Sequence, residues 1–382
     1  MSDLQPDKNT SVFPHTRIDR STWKRVRLGD VCEISKGEQL NRATLAEKGR
    51  IPVYNGGSSP SGYAEESNTA AESVIISEGG NSCGYVNFIH VPFWRGGHCY
   101  LVETDLDKSL LYYVLKANEP QIMSLRVGTG LPNIQRERLE AFEFDLPTDS
   151  TEQRQIVTTC ISIDTHITAL QALIAKYEAI KKATVNLLLK PKEGWRCVKL
   201  GDMCNRFSYG IGAPAIPYDG INKYIRITDI DDLSRAFAPS PLSSPSHFTT
   251  DHIVNEGDIL LARTGASVGK SYLYNPGDGK LIFAGFLIRA SVNSDVVDSH
   301  FLFLQTLTDR YWQWVAEESM RSGQPGLNIN QYKELDICIP SLSEQRKIAE
   351  QITAIDNVLA DYNAQLEKAR QLKAGMMSYF FG

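Results

Sequence analysis

The chain has no uninterrupted apolar run approaching the roughly 20 residues of a membrane span. Met1 to Arg20 is polar, interrupted by Pro6 and Pro14, and lacks the apolar core of a signal peptide. A cytoplasmic protein with no membrane partner is therefore expected. The seven cysteines are odd in number, and none lies in a C-x-x-C pair. This points to reduced, structural thiols rather than zinc ligands or disulfides. Nor is there an excess of positive charge: 40 Lys and Arg stand against 45 Asp and Glu, a net charge of −5. That balance argues against indiscriminate nucleic-acid binding but leaves room for a local basic cleft.

Reaction centres are equally scarce. There is no G-x-S-x-G elbow and no H-E-x-x-H. No Gly-rich methyl-donor loop follows a first strand, and no Asn-Pro-Pro-aromatic tetrapeptide occurs. The segment Gly265-Ala-Ser-Val-Gly269-Lys270-Ser271 is one residue short of a P-loop and leads into strand-like Tyr272-Leu-Tyr274, not into a helix that could receive phosphate. His90, His98 and Cys99 sit among apolar and aromatic residues without metal-ligand spacing, as in a half-buried strand pair. Asp229, Asp231 and Asp232 read as solvated turn residues. No catalytic residue and no metal ligand are expected.

What the chain does have is a duplication. Trp23, Leu28, Gly29 and Asp30 recur as Trp195, Leu200, Gly201 and Asp202; Cys32 recurs as Cys204. Arg126-x-Gly128 followed by Asn133-Ile134 recurs as Arg321-x-Gly323 followed by Asn328-Ile329. Pro147 recurs as Pro340, and Glu152-Gln153-Arg154 as Glu344-Gln345-Arg346. The offset drifts from 172 to between 192 and 195, a net insertion of about 20 residues in the second copy. Such a repeat implies two similar, pseudo-symmetric modules.

Each module reads as β-rich. Ser73–Ser77, Tyr85–His90 and His98–Glu103 are expected strands in the first, followed by a helix over about Ser109–Asn118. Asp258–Arg263, Ser271–Tyr274, Leu281–Phe283 and Phe286–Arg289 are expected strands in the second, with a longer helix over His300–Ser319. A stripe spaced 4-3-4-3-4-3 then follows each module. It comprises Ile156, Cys160, Ile163, Ile167, Leu170, Ile174 and Tyr177 in the first repeat, and Ile348, Ile352, Ile355, Leu359, Tyr362, Leu366 and Ala369 in the second. A period of 3.5 is a coiled-coil seam, and two seams of equal length and phase fit an antiparallel helix pair. Ser150 with Gln153 and Ser341 with Glu344 are capping-box candidates. The first seam runs about 32 Å at ~1.5 Å per residue, close to the ~34 Å between half-sites one DNA turn apart.

Loops beside the strands carry residues able to reach base edges or phosphates. They are Lys36, Gln39, Arg42, Asn55, Ser58, Ser59, Asn81 and Arg95 in the first module, and Arg226, Thr228, Arg263, Thr264, Ser267 and Lys270 in the second.

The order of opening W-x(4)-L-G-D, variable module, proline and E-Q-R helix resembles the specificity subunit of type I restriction–modification systems, over about residues 20–382. The resemblance implies an α+β architecture: two pseudo-symmetric β-rich target recognition domains separated by two long antiparallel coiled-coil helices. It divides the chain into an N-terminal arm (1–22), a first recognition domain (23–147), a central spacer helix (148–190), a second recognition domain (191–340) and a C-terminal spacer helix (341–382). It further implies a non-catalytic subunit that reads a bipartite double-stranded DNA target and binds two methyltransferase subunits carrying S-adenosylmethionine. The assembly can recruit two restriction nuclease subunits that use ATP and magnesium. The E-Q-R regions would lie near the methyltransferase docking surface. The central parts of the modules differ greatly in sequence, so two different half-sites are expected. A stand-alone DNA-binding or adaptor scaffold would instead bind DNA tightly and specifically by itself. An enzyme would require a pocket of convergent titratable residues.

Overall fold

Short β-branched runs punctuated by glycine fold as antiparallel strands in both repeats, and the two 3.5-period stripes fold as continuous helices. The computed structural model describes residues 20–128, 130, 132–320 and 326–382. It divides into two units, one formed by residues up to Gln171 with Gln365–Gly382, the other by Ala172–Ala364. The division runs through both long helices, not along the module–helix boundaries expected at 147, 190 and 340.

The first unit contains β1 (Trp23–Arg27), α1 (Leu28–Val31), β2 (Glu33–Lys36), β3 (Ile51–Tyr54), β4 (Gly62–Ala64), β5 (Ser73–Ser77), β6 (Val86–Ile89), β7 (Trp94–Arg95) and β8 (Cys99–Glu103). Then come α2 (Lys108–Ala117), α3 (Glu119–Ser124), α4 (Arg136–Glu140), β9 (Glu143–Pro147) and the start of α5 (Ser150–Leu188). Strands β2, β8, β5 and β6 form an antiparallel sheet in that order, and β1 pairs with β9. Strand β3 pairs in parallel with β7.

In the second unit, β10 (Arg196–Lys199), β11 (Cys204–Tyr209), β12 (Ala215–Pro217), β13 (Lys223–Ile225), β14 (Ser243–Pro245), β15 (Asp258–Ala262), β16 (Ser271–Leu273), β17 (Leu281–Phe283) and β18 (Leu287–Val292) precede the helices. These are α6 (Ser299–Gln305), α7 (Asp309–Ser319) and α8 (Ile329–Lys333), followed by β19 (Asp336–Ile339) and α9 (Leu342–Phe381). The sheet order β11-β18-β15-β16 reproduces that of the first unit; β10 pairs with β19, and β13 with β17 in parallel.

The repeated motifs are structural. Leu28 and Leu200 are buried, and their amides donate to the carbonyls of Phe142 and Leu335 at 2.8 Å. A Cβ on Gly29 would lie 2.9 Å from that of Glu140, and one on Gly201 3.1 Å from that of Lys333. Only glycine lets these segments approach so closely without displacing a neighbour. At the far end of each module the E-Q-R glutamine clamps the proline: Gln153 Nε2 donates to the Pro147 carbonyl at 2.7 Å, and Gln345 Nε2 to that of Pro340 at 3.0 Å. In the first unit Trp23 Nε1 also donates to Glu152 at 3.1 Å, tying the opening motif to the helix.

The helices complete the cores. In the first unit Ile156, Val157 and Cys160 of α5 join the module's buried cluster, with Met377, Phe380 and Phe381 of α9 packed against it. Lys373 pairs with Asp164 at 2.5 Å. In the second unit Val185 of α5, Leu189 just beyond it, and Ile348, Ala349 and Ile352 of α9 enter the other module's core. Tyr177 lies 5.4 Å from Tyr362, and Lys181 pairs with Asp356 at 2.5 Å. Rising numbers on one helix meet falling numbers on the other in each unit, so the pairing is antiparallel. All stripe positions are buried or half-buried; Ile163, Leu170 and Leu366 are buried, and Ile167, Ile174, Ile355 and Leu359 half-buried. Helix α5 is long and apolar enough, by length and composition alone, to cross a membrane. Its stripe is instead covered by α9 and the modules.

Several expectations are corrected. The helix expected over His300–Ser319 is two helices, broken where the Thr308 side chain caps α7 by accepting from Tyr311 N at 3.2 Å. Asp149, not Ser150, caps α5, accepting from Thr151 N at 2.7 Å, whereas Ser341 Oγ does accept from Glu344 N at 3.4 Å. Asn133-Ile134 corresponds in the fold to Gly326-Leu327, since Ile134 N bonds Glu78 O and Leu327 N bonds Arg263 O at equivalent strand ends. Arg321 and Gly323 lie outside the described residues, as does the arm before Arg20. Cys197 and Cys338 face each other across the β10–β19 ribbon and are disulfide-bonded, contrary to the expectation of reduced thiols; the remaining five cysteines are free. Asp229 is buried, not solvated.

Gln345 is 1% exposed and uses both ends of its amide, since its Oε1 accepts from Asp298 N at 2.8 Å. Gln345→Ala leaves one buried carbonyl and one half-buried amide unpaired and is expected to cost about 2–4 kcal/mol. Gln153→Ala removes one partly exposed bond and should cost roughly 1 kcal/mol. Urea unfolding followed by tryptophan fluorescence measures both, and equal costs would contradict the double-clamp account.

Candidate nucleic-acid interface

In the second unit four of the predicted residues converge. Arg226, Thr228, Thr264 and Ser267 line one open cleft of about 810 Å³, together with Tyr224 and Phe286. The cleft lies between the loop after β11, the turn after β13, the single 3-10 turn Gly265–Ser267 and the turn before β18. Arg226 is held in place by Asp229, with Nε–Oδ2 and a second guanidinium nitrogen to Oδ1 both at 2.8 Å. That bidentate pair raises the guanidinium's pKa. Arg263, at the end of β15, lies with its guanidinium carbon 4.7 Å from the Tyr209 ring centroid.

Lys270 is a different matter. It is 6% exposed, donates to the Ile230 carbonyl at 3.1 Å and pairs with Asp232 at 2.5 Å. It braces the loop and presents no charge at the surface, which corrects its assignment as a base- or phosphate-contacting residue. Asp231 accepts from the Ser234 amide and hydroxyl, which hold its pKa below the usual carboxylate range.

In the first unit Lys36 and His98 are exposed and share one carboxylate. Lys36 Nζ pairs with one oxygen of Glu78, and His98 Nδ1 lies 3.3 Å from the other. The Tyr100 hydroxyl adds a third contact at 3.4 Å. Asn55 accepts from the His98 amide at 3.3 Å, which places it beside this group. Gln39, Ser58, Ser59 and Asn81 are exposed on neighbouring loops. Arg42 falls in the turn Arg42–Thr44, and its side chain lies outside the described residues. Arg95 is half-buried and spent on the Ser35 carbonyl and hydroxyl at 2.9 and 2.8 Å; burial lowers its pKa. It braces the loop against Ser35.

Sequence reasoning missed Glu78, His98, Tyr209 and Phe286. For Glu78, His98 and Phe286 the signal was positional, since each sits at an end of an expected strand; Tyr209 ends β11, a strand that was not expected. Burial pushes the thiol of Cys32 up to about 11 and those of Cys99, Cys160 and Cys204 to about 12. The P-loop-like segment forms a turn that runs into β16, and its lysine is the buried brace. The geometry suits recognition of an extended polar surface by donors on rigid strand ends.

Both repeats match the model of the "Type I restriction modification DNA specificity domain", over residues 20–181 and 192–369. A Mycoplasma pneumoniae protein that bears the name of a type I specificity subunit is 35% identical over 158 residues, 40% of this chain and 42% of that protein. The chain thus aligns with less than half the length of that relative. The EcoDI type I restriction enzyme specificity subunit of Escherichia coli is 21% identical over 94% of this chain and 88% of its own length. The crystal structure of the S subunit of a Mycoplasma genitalium type I restriction–modification system shares the fold, with a TM-score of 0.66 at 20% identity, covering 97% of this chain and 99% of that one. With the family model spanning nearly all of both repeats, the chain belongs to the family of type I restriction–modification DNA specificity domains.

Proposed function

We propose that this chain is the DNA-specificity subunit of a type I restriction–modification complex. It reads an asymmetric bipartite target in double-stranded DNA, one half-site per module, and scaffolds methyltransferase subunits. The observation that carries the reading is the repetition of one sheet order in two modules whose exposed strand-end residues differ. The same backbone frame with different donors suits two different half-sites. The chain contributes recognition and leaves reaction chemistry to its partners. On this reading two methyltransferase subunits bring S-adenosylmethionine, and two nuclease subunits, where they join, bring ATP and magnesium. The assembly works in the cytoplasm.

A net charge of −5 supports dependence on those partners, because tight duplex binding needs many neutralised phosphates. The isolated chain should therefore bind DNA weakly. A stand-alone scaffold would bind it tightly and specifically.

The direct test is co-purification with the methyltransferase encoded beside the chain, with genome-wide mapping of methylated adenines in its presence and absence. A split motif that vanishes on deletion of the chain is the expected result. Failure to associate, with methylation unchanged, would overturn the reading. A second test concerns the helices: inserting one heptad at facing positions in both α5 and α9 adds about 10 Å at ~1.5 Å per residue. It should lengthen the accepted spacer by roughly 3 base pairs, at ~3.4 Å each, and leave both half-sites unchanged. An unaltered spacer would sink the ruler role.

A further inference from the structure

The two four-stranded sheets correspond residue by residue at one end. Glu78 N donates to His98 O at 3.0 Å, and Arg263 N donates to Phe286 O at 3.0 Å. Gly37 N bonds Cys99 O, and Gly210 N bonds Leu287 O. Lys36 opposes Tyr100, and Tyr209 opposes Ile288, in the same register. Three equivalent positions therefore cluster at each sheet end, with Lys36 and Tyr209 diagonal to the directly paired Glu78–His98 and Arg263–Phe286. The cluster is Lys36, Glu78 and His98 in the first unit; it is Tyr209, Arg263 and Phe286 in the second.

The chemistry of the clusters is opposite. The first is a charge network: Glu78, with its side chain 13% exposed, holds Lys36 and His98, whose side chains are 50% and 64% exposed. The second is aromatic and cationic. Phe286 is 64% exposed at the tip of a turn, on the rim of the cleft. Tyr209 is 41% exposed and carries the Arg263 guanidinium on its face. The ring restrains the guanidinium, whose N–H donors suit a bidentate acceptor. An exposed phenylalanine beside it has no role in the module's core.

We infer that these clusters are the specificity-determining positions of the two modules, an inference that rests on the DNA-reading function proposed above. In the second module Arg263 donates to O6 and N7 of a guanine, and Phe286 packs on the C5-methyl of an adjacent thymine. In the first module Lys36 and His98 contact base-edge acceptors, and Glu78 is the positioning residue that holds them. Because the clusters occupy the same backbone positions, the difference between the half-sites originates here.

The test uses the complete complex, with methylated motifs mapped base by base for Arg263→Ala, Phe286→Ala, Lys36→Ala and His98→Ala. Arg263→Ala and Phe286→Ala should each relax one base pair of the same half-site, lowering discrimination there roughly 5- to 150-fold. Lys36→Ala and His98→Ala should relax only the other half-site. Phe286 and His98 are surface residues whose truncation leaves the core intact, so their variants report on recognition even where Arg263→Ala reduces stability. Glu78→Gln should change base identity at the first half-site alone, an effect that a merely structural residue would not produce. A wild-type motif that persists unchanged at every base in Phe286→Ala and His98→Ala overturns this assignment alone. A wild-type chain on which no split motif depends overturns the functional reading and this assignment together.

Discussion

Burial of the two helical stripes is the interaction on which the rest depends. A fully buried Ile, Leu or Val contributes about 1.5–3 kcal/mol, and each module draws apolar side chains from both helices. Ile156 and Cys160 complete the first core, where Met377, Phe380 and Phe381 seal it. Val185, Leu189, Ile348 and Ile352 complete the second. Each module thus takes the start of the helix that follows it and the end of the other. The ion pairs Lys373–Asp164 and Lys181–Asp356 fix the register without supplying much energy. A module stripped of its helices would expose an apolar face, so module and helix pair cannot be separated energetically.

The motifs that made the duplication visible belong to this same constraint. Leu28 and Leu200 fill equivalent core sites, Gly29 and Gly201 allow a close approach, and Gln153 and Gln345 clamp the carbonyls of Pro147 and Pro340. None of them faces the cleft. They recur because closing a module onto a helix has one geometrical solution in both copies, whereas strand-end side chains are free to differ once the backbone is fixed.

This explains what was legible in the sequence. Strands such as Ser73–Ser77 and Leu281–Phe283, buried at every position, declare themselves as short apolar runs set off by nearby glycines, and the seam residues through their 3.5-residue period. The break between α6 and α7 was not legible, since Phe301, Leu302, Tyr311 and Val315 keep a helix-like apolar pattern across it. The pairing of Cys197 with Cys338 depends on a register between residues 141 positions apart, which no local pattern carries. For the site, residue type alone could not separate Arg263 at a sheet end from Lys270 inside the fold; only burial does. Glu78 went unseen, and His98 was read as part of a half-buried strand pair although it is exposed, because a carboxylate and an imidazole look unrelated until the β5 and β8 ends bring them to one network.

Of the cationic residues beside the strands, Arg95, Arg226 and Lys270 are engaged by Ser35, Asp229 and Asp232. Their energy goes into holding loops still. That leaves few side chains to meet a ligand directly, each mounted on a braced frame. Such a surface yields discrimination per contact more readily than total affinity, since affinity for duplex DNA scales with the number of phosphates neutralised. On the proposed reading the division of labour follows from this arithmetic: an acidic chain supplies selectivity at a few rigid positions, and the proteins it assembles supply the phosphate contacts that hold the duplex in place.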